Sequence, residues 1–225
     1  HYDNSQGAIT TVDVHSANHW RVKNDMSKQK NINHILSGTL SMNYQFNPDH
    51  VMGVRYKLSR DPKIRIDGTA LAEAFMDGTM YEQSDARYDI GGQFTSHDIN
   101  AYYNGKVNDW SIDLNLDGMW HKTKQNQFTA QTITETSRKT MEENMTTFNR
   151  TRNNLLASKL VISRPLWDGS LSFGGEYSHN SRTNLYHNDE GVLDSDDSEI
   201  KEGMTSGFVE YGRSFGKLGV QAGVR

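Results

Sequence analysis

The sequence predicts an all-β fold: an antiparallel up-and-down meander of about eight or nine strands that makes up part of a membrane-spanning β-barrel. Three observations carry this expectation. Apolar and polar residues alternate over several stretches, most cleanly from Trp110 to Trp120. Tight-turn signals alternate along the chain with long polar connections. No run of about 20 apolar residues exists to form a transmembrane helix, whereas barrel strands need none.

Composition agrees. The 225 residues carry 24 basic and 28 acidic side chains, net charge -4 and interspersed, which gives no footprint for nucleic acid. Cysteine is absent, so disulfides and thiolate sites are excluded. Three prolines and 19 glycines favour strands and turns over helices. The mean hydropathy of -0.78 fits long polar loops.

In chain order, Ile9 to Val14 reads as the end of a strand and Ser16 to Asn31 as a polar loop. Leu36, Gly38, Leu40, Met42, Tyr44 and Phe46 share one strand face. Asn47-Pro48-Asp49-His50 turns the chain, and Met52, Val54, Tyr56 and Leu58 return. The region 59–93 reads as a long loop with a short helix over 69–76, TALAEAFM, because Ala, Leu, Glu and Met are good helix formers. Ile99, Ala101 and Tyr103 mark a strand, and Asn104-Gly105 opens a turn.

From Trp110 to Trp120, Ile112, Leu114, Leu116 and Gly118 lie on one face, with Ser111, Asp113, Asn115 and Asp117 opposite. At roughly 3.3 Å per residue the two tryptophans stand about 33 Å apart, or about 25 Å along the axis of a barrel with strands tilted by about 40°. That is the height of an apolar band between two aromatic girdles. Residues 121–153 form a polar connection with partial alternation, expected as strands running beyond the membrane. Leu156 to Ile162 and Leu171 to Tyr177 pair around a turn at 164–169, with Gly174-Gly175 and Gly91-Gly92 read as kinks or bulges. Residues 179–205 form a third polar stretch.

Ser206 to Arg225 folds at Gly216-Lys217, which sets Phe215 opposite Leu218, Arg213 opposite Val220, Tyr211 opposite Ala222 and Val209 opposite Val224. A one-residue slip would move Glu210 and Gln221 onto the apolar face. The strand reaches Arg225 without a turn or polar tail, and the chain begins at His1, so both ends read as cuts and 1–225 as a single β-barrel fragment lacking a plug and further strands. Short turns near Asn47, Gly105, Trp167 and Gly216 alternate with the polar connections 59–93, 121–153 and 179–205. All short turns therefore gather at one rim and all long connections at the other, the asymmetry of outer-membrane barrels.

The ending FVEYGRSFGKLGVQAGVR and the upstream LSFGGEYSHNSRTN resemble the strand pattern of outer-membrane β-barrel proteins related to TonB-dependent receptors. The resemblance implies barrel strands in the cell outer membrane of a Gram-negative bacterium. It also implies a parent protein that binds or imports a nutrient, partnered by outer-membrane lipid, a nutrient ligand at the extracellular loops, and an energy-coupling periplasmic protein acting through the missing plug. The residues show no plug or TonB-contacting segment and too few strands for a full barrel.

No enzyme is expected. There is no His-Glu-x-x-His run, nucleophile elbow or phosphate-cradling glycine loop. Catalytic, metal and cofactor sites are expected to be none. The acidic stretch Asp189 to Glu199 reads as a solvated loop, His15 and His19 lack a helical setting for a metal, and Asp113 and Asp117 read as lumen lining. The membrane-belt candidates are Trp110, Trp120, Tyr103 and Tyr177. The alternative is a soluble all-β surface module, carbohydrate-binding or adhesive, with its apolar faces packed against each other.

Overall fold

The computed structural model describes residues 2–6, 9–15, 19–137 and 139–225. They form one antiparallel sheet of 11 strands: β1 (Tyr2–Gln6), β2 (Ile9–His15), β3 (His19–Asn33), β4 (Leu36–Asn47), β5 (His50–Met76), β6 (Thr79–Val107), β7 (Trp110–Glu135), β8 (Thr140–Leu166), β9 (Gly169–Asn188), β10 (Asp196–Phe215) and β11 (Leu218–Val224). β1 and β2 lie end to end along β3, and β3 and β4 lie end to end along β5. The segments therefore fill nine rows, and the expected eight or nine strands correspond to rows rather than to uninterrupted elements.

The interruption between β3 and β4 has a local cause. β5 carries an extra residue between Asp61 and Ile64, where Phe94 and Gly92 of β6 stand opposite, so the ladder bulges beside Gly91-Gly92. The fully buried Asp61 carboxylate accepts the backbone N–H of His34 at 2.9 Å and that of Lys63 at 2.9 Å. It thus satisfies donors that the broken ladder releases.

The registers set the geometry of the whole sheet. One rung runs through His50, Gly105, Ile112, Ile162, Phe173, Val209 and Val224. The β4–β5 turn closes on this rung at Asn47 and His50. The next turns close at Val107/Trp110, Leu166/Gly169 and Phe215/Leu218, each two residues further out than the one before. A level rim then requires a shift of one residue per strand. With a rise of about 3.3 Å and a strand spacing of about 4.8 Å, the tilt is about 35°, inside the range of membrane barrels.

The β10–β11 pairs are those the alternation predicts, from Val209 with Val224 to Phe215 with Leu218. The four tight turns that the sequence predicts lie at one rim, but a fifth two-residue turn, Asp77-Gly78 between β5 and β6, lies at the other, so the expected division into a tight rim and a long-loop rim does not hold there. The opposite rim differs from expectation. Residues 59–93 and 179–205 are not loops but the outer parts of β5, β6, β9 and β10, while 121–153 carry the extended strands expected there, in β7 and β8; the β5–β6 and β9–β10 hairpins close at Asp77-Gly78 and at 189–195. The loop expected over 16–31 is instead β3 from His19 onward, and 16–18 lie outside the described residues. The helix expected over 69–76 is strand, because β3 and β6 both pair with that part of β5 and override a weak local preference. Asn104-Gly105 stays in β6, and the turn comes at Asn108-Asp109, where Asn108 takes the left-handed conformation, φ 51°. Gly174-Gly175 is not a kink, since its register is unbroken. A Cβ at Gly174 would strike the Leu160 carbonyl and the Phe208 ring, so the position serves close approach.

The sheet is a single layer. Tyr88 is the one buried large apolar side chain among the described residues, and Leu116 is 43% exposed. Among the described residues the two-layer packing that a soluble sandwich needs is not present. Among the described residues the outer edges of β4 and β11 carry no partner strand.

Candidate functional site

The rungs divide the lower sheet into two faces. One carries Met42, Val54, Ala101, Leu116, Ser158 and Tyr177 along a single line, and Tyr44, Met52, Tyr103, Leu114, Leu160 and Gly175 along the next. This face is mainly apolar from the tight turns up to Trp120, broken by Arg164 and Ser158 on β8 and Arg213 on β10. Counting from each strand's own turn corrects for tilt. Trp110 stands at the rim, Trp120 ten residues above it, and ten residues at about 35° span about 27 Å. Apolar side chains on so wide an open face, such as Leu156 at 54% and Leu160 at 39% exposure, have no protein to cover them.

The belt candidates fall at different heights. Trp110 and Trp120 mark the two ends. Tyr177 lies eight residues from Gly169, about 22 Å above the rim and about 5 Å below Trp120. Tyr103 lies only four residues from Val107, inside the band, yet its hydroxyl reaches down over Gly105 to hydrogen-bond with His50 Nδ1 at 2.7 Å. Tyr211 behaves alike and donates to the Trp167 carbonyl at the turn, at 3.0 Å. Tyr56 points the other way, its hydroxyl 2.6 Å from His97 Nδ1 at the upper end. Each polar tip leaves the middle of the band for the nearer edge, as amphipathic rings do at a membrane interface. Tyr56, His97, His50 and Tyr211 were missed in the sequence. Their position near the ends of apolar stretches was a signal, but only the pairing shows where their hydroxyls go.

The opposite face is polar. Asn100 donates to Asp117 at 2.7 Å, Asn115 donates to Asp113 at 3.4 Å, and the Tyr102 hydroxyl donates to Asn43 at 2.9 Å. Lys159 meets Glu176 at 2.8 Å, and Arg225 bonds the same carboxylate. Asp113 and Asp117 thus belong to a hydrogen-bonded lining. Charges facing one another across strands in this way suit an aqueous lumen and would be costly against lipid.

Above the band both faces are polar. Arg65 holds Asp67 at 3.0 Å, and that hydrogen bond keeps the Asp67 carboxyl below the usual carboxylate range. Ser84 donates to Gln131 at 3.4 Å, and Gln131 in turn bonds Glu143. Near the top, Trp20 meets Tyr81 edge to face, with centroids 5.5 Å apart. The acidic stretch works in the β9–β10 reversal. Glu190 accepts the Thr146 N–H at 2.6 Å, which holds its carboxyl below the ordinary value, and Asp189 lies 3.3 Å from His187. Among the described residues no three His, Asp or Glu side chains converge as metal ligands. His19 lies 3.7 Å from Asp13, and the His15 side chain lies outside the described residues.

The model of a family described as outer membrane protein beta-barrel family matches residues 103–225, more than half of the chain. No curated protein matches the sequence.

Proposed function

Because the chain belongs to the outer membrane protein beta-barrel family, and so resides in the outer membrane, we propose that it forms part of the wall of a receptor that binds or imports a nutrient. The observation that carries this reading is the height of the polar hairpins. β7 continues from Trp120 to Glu135, fifteen residues beyond the belt, which is about 40 Å of hydrogen-bonded wall standing in water. A barrel that served only as an anchor would need no such extension.

The inner side of that wall offers amides and hydroxyls, such as Gln131 and Ser84, which suit a hydroxylated or amide-bearing nutrient. The lower polar face would line the passage and the apolar band would meet lipid. Strands other than these nine would close the barrel, since an open edge in hydrocarbon leaves backbone groups unsatisfied. Energy would come from a periplasmic coupling protein acting through a plug, as the resemblance to TonB-dependent receptors suggests. No reaction chemistry is part of this reading.

The test compares a gene-deletion strain with one whose β7–β8 hairpin is trimmed by replacing 126–148 with Asn-Gly. Growth is scored on single limiting iron chelates, oligosaccharides and peptides. The expected result is at least one source on which both strains lose growth alike while the trimmed protein still reaches the outer membrane. A deletion strain that grows normally on every source would overturn the nutrient reading. A trimmed strain that grows where the deletion cannot would overturn the role of the hairpin.

A further inference from the structure

Immediately above Trp120, on the same face as the apolar band, two strands place four cations together. β7 carries Lys122 and Lys124, and β8 carries Arg152 and Arg150 directly opposite them, in an unbroken register. Residues facing each other on neighbouring strands have Cβ atoms about 5 Å apart, and residues two apart on a strand are separated by about 7 Å. Like charges in this arrangement repel. The repulsion is visible at Lys122, where Lys124 first and Arg152 next pull the ammonium below the ordinary lysine value.

Among the described residues no acid forms an ion pair with any of the four. Thr95 and Gln93 face the two lysines from β6, and Thr183 and Leu185 face the two arginines from β9. The nearest acids on this face stand two strands away on β10, Glu199 opposite Thr183 and Asp197 opposite Leu185, and Glu199 is held by Lys201 at 3.0 Å. Arg150 lies against the Phe148 ring at 5.4 Å, and its Nε is buried without a partner.

We propose that Lys122, Lys124, Arg150 and Arg152 form a site on the lipid-facing side of the barrel for phosphate groups on headgroups of the outward leaflet. Two features select this occupant. Four clustered cations without an ion-pair partner among the described residues call for a multiply charged anion, and guanidinium forks match phosphate oxygens. The cluster also begins one step above the belt tryptophan, continuous with the membrane interface, so the anion nearest to it is a lipid headgroup. The inference rests on this face being turned outward.

The test uses the full-length protein in neutral detergent, titrated with lipid A bearing two phosphates, with the same lipid dephosphorylated, and with inorganic phosphate. Binding is followed by native mass spectrometry and by thermal unfolding. The wild type is expected to bind the phosphorylated lipid, with higher Tm, and to ignore the dephosphorylated one. K122Q/R152Q is expected to bind about 25-fold more weakly, about five-fold per charge removed. Without lipid its Tm should exceed that of the wild type, because a repelling pair is gone. Equal affinity of variant and wild type overturns the site, and so does equal binding of the dephosphorylated lipid. Saturation by inorganic phosphate alone would overturn the lipid assignment. Quenching of Trp120 by brominated lipid is the control for orientation: if it persists when the site fails, the outward face stands and only the phosphate site falls.

Discussion

A charge placed on the apolar face should cost stability according to its height, and the stagger of the turns supplies the heights. Leu114 lies four residues above the tight rim and Leu116 six, which at a tilt of about 35° is about 11 and about 16 Å. The middle of a 27 Å band lies at about 13.5 Å, so both stand within about 3 Å of it. Leu156, counted from Leu166, stands ten residues up at the belt. Arginine at the midplane of a barrel costs about 2–4 kcal/mol and at the interface about 0–1. Leu116→Arg should therefore lower the folding equilibrium constant by roughly 30- to 1000-fold, and Leu156→Arg by less than about ten-fold. Asn115→Arg, on the polar face at nearly the same height, should have little effect. The assay is reversible folding into phosphatidylcholine vesicles against urea, read by tryptophan fluorescence. Equal penalties at 115 and 116 would refute the two-faced sheet. A penalty at 156 as large as at 116 would refute the stagger.

Three further outcomes follow from local geometry. Asp61→Ala removes the acceptor of two backbone N–H groups at the β5 bulge and should cost about 2 kcal/mol, seen as earlier proteolysis of the upper hairpins with the band intact. Asn108→Val puts a β-branched residue at φ 51° and should cost about 1–2 kcal/mol of unfolding free energy; a neutral result would mean that the turn rearranges at no cost. The Asp67 carboxyl is held down by Arg65, so its contribution to stability is present above the ordinary unfolded value of about 3.9 and is lost as pH falls through the lower folded value. Asp67→Asn should flatten the acid side of the thermal stability profile between pH 5 and 2, to an extent limited by solvent screening. An unchanged profile would show the pair to be inert.

The lower half of the sheet was legible because water and lipid impose different demands on its two faces. Trp110 to Trp120 shows that difference at every second residue, and Gly216-Lys217 pins the neighbouring register. The upper half was not legible for the same reason in reverse. Where both faces are polar, as through His179, Asn180, Ser181 and Arg182, alternation carries no signal and a strand looks like a loop. TALAEAFM read as helix because propensity was the only information left, and pairing with β3 and β6 outweighs it. The proposed belt was only partly readable from the sequence. Trp110 and Trp120 sit on one strand, whereas the height of Tyr103 and the reach of its hydroxyl to His50 depend on cross-strand geometry. The cation cluster was hidden altogether, since 30 positions separate Lys122 from Arg152 and only the β7–β8 register joins them.

The most direct measurement is a scan of single nitroxides from 111 to 125 on β7 in lipid vesicles, comparing contact with oxygen, which partitions into lipid, against contact with a water-soluble nickel chelate. Oxygen contact is expected to peak at 112, 114, 116 and 118 and the chelate at 113, 115 and 117, with the oxygen peaks ending at 122, where the cations begin. Peaks on the odd positions, or oxygen contact that alternates unchanged past 124, would contradict a lipid-facing band bounded by Trp120.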